Sequence, residues 1–276
     1  MVRTKKLSTG VNEVLERLLA GELTIDEARR ELSAFSIRQI GELARLDTKR
    51  AYRVGAPELI LGEGKHPEDA ARLSIQMAKE RGYALVTRVG DQHVKEIKNG
   101  LPKGFDTSYN RVAHAVLVKR RGYTFPKAGK IGVLAAGTAD VPVAEEAAVA
   151  AGVMGCKVLK AYDVGIAGIH RLFKPLELMA REGVAALVVV AGMEGALPSV
   201  VASLVDVPVI GVPTSMGYGV GLKGAAALMA MLQSCSPKIA VVNIDNGLGA
   251  GVFAGLIARR ASGAKVRKRV RKKPRS

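Results

Sequence analysis

The chain has 276 residues and is 48% hydrophobic, enough for one large core or two modest ones. Its apolar runs end well before the roughly 20 residues that a membrane span needs. No apolar segment follows the basic residues among the first six, so we expect a cytoplasmic protein without a signal peptide. The formal charge of +17 includes ten Lys and Arg between Arg259 and Ser276. Because no aromatic platform accompanies this cluster, we expect a disordered solubilising tail rather than a nucleic-acid arm.

The first 125 residues predict a small α/β domain. Thr24 and Glu27 have the spacing of a capping box, which predicts a helix start. The hydrophobic pattern then predicts strands at 59–61 and 83–87 and helices at 66–81 and 91–98. Glycine and proline between 122 and 130 indicate the linker to the next domain.

From residue 130, short β-branched runs alternate with helical segments. The predicted strands are 131–135, 157–162, 185–191, 207–212 and 239–244, and the predicted helices are 142–151, 172–181, 197–204 and 221–232. This alternation is typical of a doubly wound, mainly parallel α/β sheet, here a flavodoxin-like three-layer sandwich. We therefore predict domains at 1–125 and 126–260, followed by the basic tail at 261–276.

The ligand crevice of such a sheet lies beyond the carboxyl ends of its strands. After the first strand, Asp140 can simply cap the next helix. Alternatively, the loop of Gly137, Thr138 and Ala139 can hold a phosphate at the helix N-terminus, with Asp140 facing the reacting group. Both interpretations stay open at this point.

Charged residues also follow the second and third strands. His170 can shuttle a proton near neutral pH and Arg171 can bind a carboxylate or phosphate, although such a pair is often mere surface chemistry. Glu194 lies between Gly192 and Gly195, where a carboxylate is poorly placed for packing. A role as a base or hydrogen-bond acceptor is at least as well supported as a cap.

The two cysteines are too few for a disulfide framework, and no His or Cys pair has zinc-site spacing. Cys156 is expected to be inert packing. Cys235 stands before the last strand in a polar turn beside Lys238, where a thiolate can be stabilised, although a helix C-terminus just before it acts in the opposite direction. Inert packing and a nucleophilic role both stay open for Cys235 at this point. The glycines at 217, 219 and 221 allow close approach of a nucleotide but do not match the dinucleotide fingerprint, which disfavours hydride transfer.

Several strand-end segments resemble those of a known superfamily. The segments Ala-Gly-Thr-Ala-Asp140, Ala-Gly-Ile-His170-Arg171, Gly-Met-Glu194-Gly-Ala-Leu-Pro198 and Pro-Val-Ile-Gly-Val-Pro213 are similar to the aminoimidazole-ribonucleotide carboxylase/mutase superfamily. The segments at 213–219 and 241–251, with Ser-Cys235 between them, resemble more particularly the pyridinium-3,5-biscarboxylic acid mononucleotide synthases of nickel-pincer cofactor biosynthesis. The likeness is strong over 130–258 and weaker over 46–66.

This resemblance implies carboxylation of the nicotinate ring of nicotinic acid adenine dinucleotide by carbon dioxide or bicarbonate, with hydrolysis of the phosphoanhydride to release AMP. Cys235 matches the family's nucleophile, Glu194 or Asp140 would be the base, and His170 would assist catalysis. The implied substrate-binding residues are Gly137, Thr138, Ala139, Arg171, Gly192, Met193, Ser215, Gly217, Asn243, Asp245, Asn246, Arg50 and Arg53.

The resemblance further implies a homo-oligomer with no tightly bound cofactor. It assigns no metal ligand, and Mg²⁺ is a candidate to assist the hydrolysis. One departure separates the chain from the purine enzymes, which carry a histidine directly before Leu-Pro where this chain has Ala196. Aminoimidazole ribonucleotide carboxylation is therefore the second hypothesis. A non-catalytic nucleotide-binding regulatory protein is the third.

Overall fold

The protein is described by a computed structural model that covers residues 11–33, 37–40, 44–47 and 50–263. The first ten residues and the segment from 264 onward, which holds most of the basic tail, lie outside the described residues, as does the side chain of Arg53. Within the described ranges, no helix is long and apolar enough to cross a bilayer.

The N-terminal part forms a small α/β unit. Its elements are α1 (Val11–Leu19), α2 (Ile25–Ser33), β1 (Ile37–Ile40), β2 (Ala44–Asp47), α3 (Arg50–Val54), β3 (Ile60–Leu61), α4 (Pro67–Arg81), β4 (Tyr83–Thr87), α5 (Asp91–Asn99), β5 (Phe105–Asn110) and β6 (Ala115–Arg120). β1 and β2 form an antiparallel pair, and the other strands form a mixed sheet of order β3-β4-β6-β5. The predicted capping box is confirmed, because the backbone N–H of Thr24 donates to Glu27 Oε2 at 2.9 Å and that of Glu27 to Thr24 Oγ1 at 3.2 Å.

The C-terminal part is the predicted doubly wound sheet. Its elements are β7 (Gly129–Ala135), α6 (Val141–Val153), β8 (Cys156–Ala161), α7 (His170–Glu182), β9 (Leu187–Ala191), α8 (Leu197–Leu204), β10 (Val209–Pro213), α9 (Ala225–Leu232), β11 (Ile239–Val241) and α10 (Gly247–Gly263). All five strands are parallel, in the flavodoxin-like order β11-β10-β9-β7-β8. The helix α10 is absent from the predicted elements and runs past the predicted domain end at 260.

Helices cover both faces of the parallel sheet. Val133 and Val188 point into a core with α6 and α10, whereas Leu134 and Val189 point into a second core with α7, α8 and α9. Because successive residues of a strand enter different cores, both sets must be apolar. This explains the uninterrupted apolar runs in the sequence.

The strand β4 connects the two units. Ala84 and Val86 pack under α4 and α5, while Leu85 on the other face packs with a cluster that includes Val153 of α6. All five residues of β4 are therefore buried.

Glu145 of α6 links the two units through hydrogen bonds. Its carboxylate accepts hydrogen bonds from Asn110 of β5 at 2.8 Å, from Lys160 at 2.8 and 2.9 Å and from Tyr162 at 2.7 Å. Burial opposes ionisation of this carboxyl, but the hydrogen bonds outweigh burial and lower its pKa.

We expect Glu145→Gln to lower the free energy of unfolding at pH 7 by about 1–3 kcal/mol, because two partly buried donors, Asn110 and Tyr162, lose a charged acceptor. A lowered pKa stabilises the fold above the pKa of the unfolded carboxyl, about 4.3, and this contribution is lost as the pH falls through the folded pKa. The difference between variant and wild type should therefore shrink between pH 7 and pH 3 in urea unfolding.

The matched control is Glu177→Gln, which removes an exposed ion pair with Arg181 on α7 and should cost at most about 0.5 kcal/mol. Equal losses in the two variants, or a difference that widens in acid, would contradict the role given to Glu145.

Candidate functional site

A cleft of about 560 Å³ opens at the carboxyl edge of the parallel sheet. Its walls come from the loops after β7, β8, β9 and β10, at residues 136–137, 139–140, 165–167, 191–194, 196–197 and 216–218. The strand order reverses between β7 and β9, so the cleft occupies the place where doubly wound folds bind ligands.

Asp140 is a buried carboxylate that lines this cleft. It is 5% exposed, its Oδ1 accepts a hydrogen bond from Thr214 Oγ1 at 2.7 Å, and its Oδ2 accepts one from the backbone N–H of Gly137 at 2.9 Å. Asp140 occupies the N-cap position of α6 but makes no side-chain cap bond there. Asp140 therefore does not cap α6 itself. Its bond from Gly137 caps the single turn at 138–140, and its bond from Thr214 joins the loops after β7 and β10.

Glu194 lines the same cleft, but its side chain is exposed whereas that of Asp140 is buried. It lies in a tight turn in which the backbone N–H of Gly195 donates to Gly192 O at 2.9 Å, and the preceding Met193 has a positive φ of 51°. Its side chain is exposed and has no hydrogen-bond or ion-pair partner in the part of the chain that the structure describes. The carboxylate of Glu194 is therefore free to take a proton, and that of Asp140 is held in place.

Gly192 allows the loops after β9 and β10 to approach each other closely. A Cβ at this position would lie 2.4 Å from Met216 O, 2.7 Å from Thr214 Oγ1 and 3.3 Å from Asp140 Oδ1. Any side chain here must push apart the groups that hold Asp140.

We expect Gly192→Ala to lower catalytic activity by about 10–100-fold, since misplacement by about 1 Å is enough for such a loss. Overpacking should also cost about 1–3 kcal/mol of stability. The control is Gly152→Ala in α6, where a Cβ meets nothing within 4 Å and should raise stability by up to about 1 kcal/mol without changing activity. Turnover and thermal melting test both, and a wild-type rate for Gly192→Ala would refute the close approach.

The predicted residues after β8 do not line the cleft. His170 is exposed at the start of α7. Arg171 is paired with Asp163 and donates to Gly168 O at 3.4 Å. Two other predicted residues also do not line the cleft. Thr138, in the loop after β7, is exposed, and Arg50 is exposed at the start of α3, far along the chain from these loops.

Two of the predicted residues after β11 accept hydrogen bonds from nearby backbone N–H groups. Asp245 Oδ1 accepts a hydrogen bond from the backbone N–H of Ser215 at 2.8 Å and so holds the loop after β10. Asn246 Oδ1 accepts one from Gly249 at 2.8 Å in the first turn of α10, and Asn243 is exposed. Gly217 and Met193, also predicted, do line the cleft.

Cys235 is exposed in the turn between α9 and β11. Ser236 Oγ donates to Ser199 O of α8 at 3.3 Å, and the Lys238 ammonium donates to Val205 O, so both hold this turn against α8. The ammonium of Lys238 is thus engaged by a carbonyl. Because Cys235 precedes β11, it lies away from the carboxyl edge, and one copy of the chain does not bring this thiol into the cleft.

Cys156 is buried at the start of β8, as its sequence context predicts. Burial raises the pKa of its thiol. The two cysteines therefore differ clearly in accessibility. No group of three or more His, Cys, Asp or Glu within the described ranges is arranged to hold a metal ion.

A second cleft, of about 440 Å³, lies between the two units and is absent from the sequence-based predictions. Its ionisable residues include Arg88, His114 and Glu146. The signal in the sequence is Glu146, which together with Glu145 interrupts the otherwise apolar run that becomes α6.

Comparison with known proteins identifies the family. The model of the AIR carboxylase family matches residues 130–276, and that of the LarB/PurE-like N-terminal domain matches residues 37–120. The uncharacterized protein MJ0165 of Methanocaldococcus jannaschii is 45% identical over 92% of this chain and 98% of its own length. N5-carboxyaminoimidazole ribonucleotide mutases of Thermotoga maritima and Pyrococcus abyssi are 29% and 31% identical over 46% and 45% of this chain, and over 74% and 71% of their own lengths. The chain therefore belongs to the AIR carboxylase family and, through its N-terminal domain, to the LarB family within it.

Proposed function

We propose that the protein carboxylates carbon 5 of the nicotinate ring of nicotinic acid adenine dinucleotide and hydrolyses the phosphoanhydride, giving pyridinium-3,5-biscarboxylic acid mononucleotide and AMP. The observation that carries this proposal is Ala196, which lines the cleft where purine enzymes of this superfamily have a histidine. Without an imidazole there, the cleft lacks the group that distinguishes the purine reaction. The LarB/PurE-like domain at 37–120 supports the same assignment.

The substrate ring dictates what the protein must supply. A pyridinium is electron-poor and does not attack carbon dioxide. Addition of a thiolate to carbon 4 forms a C–S bond and leaves an enamine whose carbon 5 is nucleophilic. Carbon 5 then bonds to carbon dioxide, a base removes the proton from carbon 5, and expulsion of the thiolate restores the aromatic ring. One carbon dioxide enters and one proton leaves, so no oxidant is needed.

The two carboxylates of the cleft suit different tasks. Glu194 has no partner in the described part of the chain and can accept the proton from carbon 5. Asp140 already accepts hydrogen bonds from Thr214 and Gly137, so we assign it to positioning and binding. The N-terminal end of α6 follows Asp140 directly and favours an anionic phosphate nearby.

The thiol requires a second copy of the chain. Cys235 lies outside the cleft of its own copy, and exposed apolar residues surround its turn: Leu204, Met229 and Leu232 are 49%, 67% and 66% exposed. Exposed apolar groups of this size favour burial against a partner. We infer a homo-oligomer in which one copy presents Cys235 to the cleft of another.

Mass spectrometry of the products tests the proposal. The purified protein is incubated with nicotinic acid adenine dinucleotide, bicarbonate and Mg²⁺, in competition with aminoimidazole ribonucleotide. We expect a dicarboxylated pyridinium mononucleotide and AMP. Carboxylation of the imidazole alone would assign the chain to purine chemistry, and the absence of any product would favour a regulatory nucleotide-binding protein.

A further inference from the structure

The cleft between the two units is built from both of them. Arg88 and Val89 follow β4, Ala113 and His114 precede β6, and the first turns of α6 contribute Pro142, Val143 and Glu146 from the other side. Its volume of about 440 Å³ is within the range of small-molecule sites. A site at a domain boundary is a common place for a ligand.

Glu146 is the unusual group in this cleft. The residue is 5% exposed, and its Oε2 accepts a hydrogen bond from the backbone N–H of Leu248 at 3.0 Å. Its Oε1 is buried and has no hydrogen-bond partner among the described residues, and Arg88 Nε lies 3.9 Å away. Burial raises the pKa of this carboxyl, against the opposing effects of Leu248 and Arg88. A buried polar oxygen without a partner is costly, so a hydrogen-bond donor from a ligand would be strongly favoured there.

Three residues that line the cleft have strained backbones. Arg88, His114 and Asp245 have φ values of 52°, 46° and 55°. Side chains other than glycine rarely adopt this region, and such residues concentrate at ligand sites. They come from three separate loops, so the strain is a property of the cleft and not of one turn.

The charges define the ligand. Three carboxylates, Glu63, Glu146 and Asp245, face one guanidinium, and Arg88 already donates to Glu63 at 2.9 Å and to Asp245 O at 3.0 Å. The part of the cleft at Glu146 therefore favours a neutral or cationic hydrogen-bond donor, such as a sugar hydroxyl, and disfavours a phosphate. The wall of Val89, Ala113, Pro142 and Val143 is apolar and suits a planar ring. A nucleoside has both a hydroxylated sugar and a planar base.

The two clefts adjoin at the start of α6. Asp140 lines the first cleft, and Pro142 and Val143, two and three residues later, line the second. The bond from Ser215 N to Asp245 Oδ1 links the loop of the first cleft to the wall of the second. We propose that the interdomain cleft binds the adenosine half of the dinucleotide, with a ribose hydroxyl donating to Glu146 Oε1. This inference rests on the proposed function for the identity of the dinucleotide.

Calorimetry with AMP tests the site without any turnover. AMP should bind the wild-type protein, and Glu146→Gln should weaken binding by at least about 10-fold, since hydrogen bonds to charged groups contribute about 1.5–3 kcal/mol. Glu194→Gln, in the other cleft, is the control and should bind AMP as the wild type does. No AMP binding, or equal binding by Glu146→Gln, would overturn the proposal.

A second measurement does not depend on how a variant folds. Photolabelling of the wild-type protein with 8-azido-AMP should modify peptides that contain Val89, Ala113 or Val143, and excess AMP should protect them. Labels confined to the first cleft would overturn the proposal. If AMP binds here but nicotinic acid adenine dinucleotide is not carboxylated, the adenosine site stands and the proposed reaction fails. The opposite pattern leaves the reaction intact and removes the site.

Discussion

Glu194→Gln is expected to lower the rate of carboxylation by about 10²–10⁴-fold while changing the free energy of unfolding by less than about 0.5 kcal/mol. The carboxylate is exposed in the cleft and has no partner in the described part of the chain, so the fold does not depend on its charge. Glutamine keeps the shape of the side chain but cannot take the proton from carbon 5. Incorporation of labelled bicarbonate in a single turnover, beside urea unfolding, measures both quantities.

Asp140→Asn is the informative comparison. Both oxygens of Asp140 accept hydrogen bonds, one from buried Thr214 and one from the partly buried backbone of Gly137, so an amide must turn its NH₂ group toward one of these donors. We expect a stability loss of about 1–3 kcal/mol together with the loss of rate. If Glu194→Gln instead retains the wild-type rate and only Asp140→Asn loses it, Asp140 is the base.

The parallel sheet is predictable from the sequence because its central strands β7, β9 and β10 carry two apolar faces. Leu134 and Val133 enter different cores, so no polar residue interrupts the run. The hairpin of β5 and β6 is not among the predicted elements, because β5 is not a continuous apolar run. β5 is an edge strand in which Asp106 and Ser108 are polar, and no Asn-Gly or Asp-Gly turn follows it.

The candidate site is predictable only in part. The loops after β7, β9 and β10 come together in one cleft because strand ends of a parallel sheet share one edge, and this brings Asp140 and Glu194 there. The partners of Asp140 could not be foreseen, since the bond to Thr214 spans 74 residues of sequence. The same holds for the interdomain cleft, where Arg88 and Glu146 meet only after the two units pack together.

Cys235→Ala is expected to reduce carboxylation by on the order of 10³-fold or more, because removal of a nucleophile leaves only binding and electrostatic assistance. AMP binding and stability should be unchanged, since the side chain is exposed. Cys156→Ala is the matched control and should retain activity at a cost of about 1 kcal/mol, because it removes a buried thiol. Iodoacetamide should alkylate Cys235 in the native protein and leave Cys156 unmodified.

The position of Cys235 makes a sharper prediction when two inactive variants are mixed. A site that takes Glu194 from one copy and Cys235 from another is intact only when neither donor carries its mutation. Random assembly of Cys235→Ala with Glu194→Gln should therefore restore about a quarter of wild-type activity. That fraction refers to the unselected mixture. Coexpression with two different affinity tags isolates the mixed assemblies and raises the restored fraction, to about a half if the assembly is a dimer, and each variant alone provides the baseline. Mixed assemblies that stay inactive would show that the thiol acts within its own copy or does not act at all. A recovered rate would tie the exposed apolar surface beside Cys235 to catalysis, because covering that surface would then complete the site.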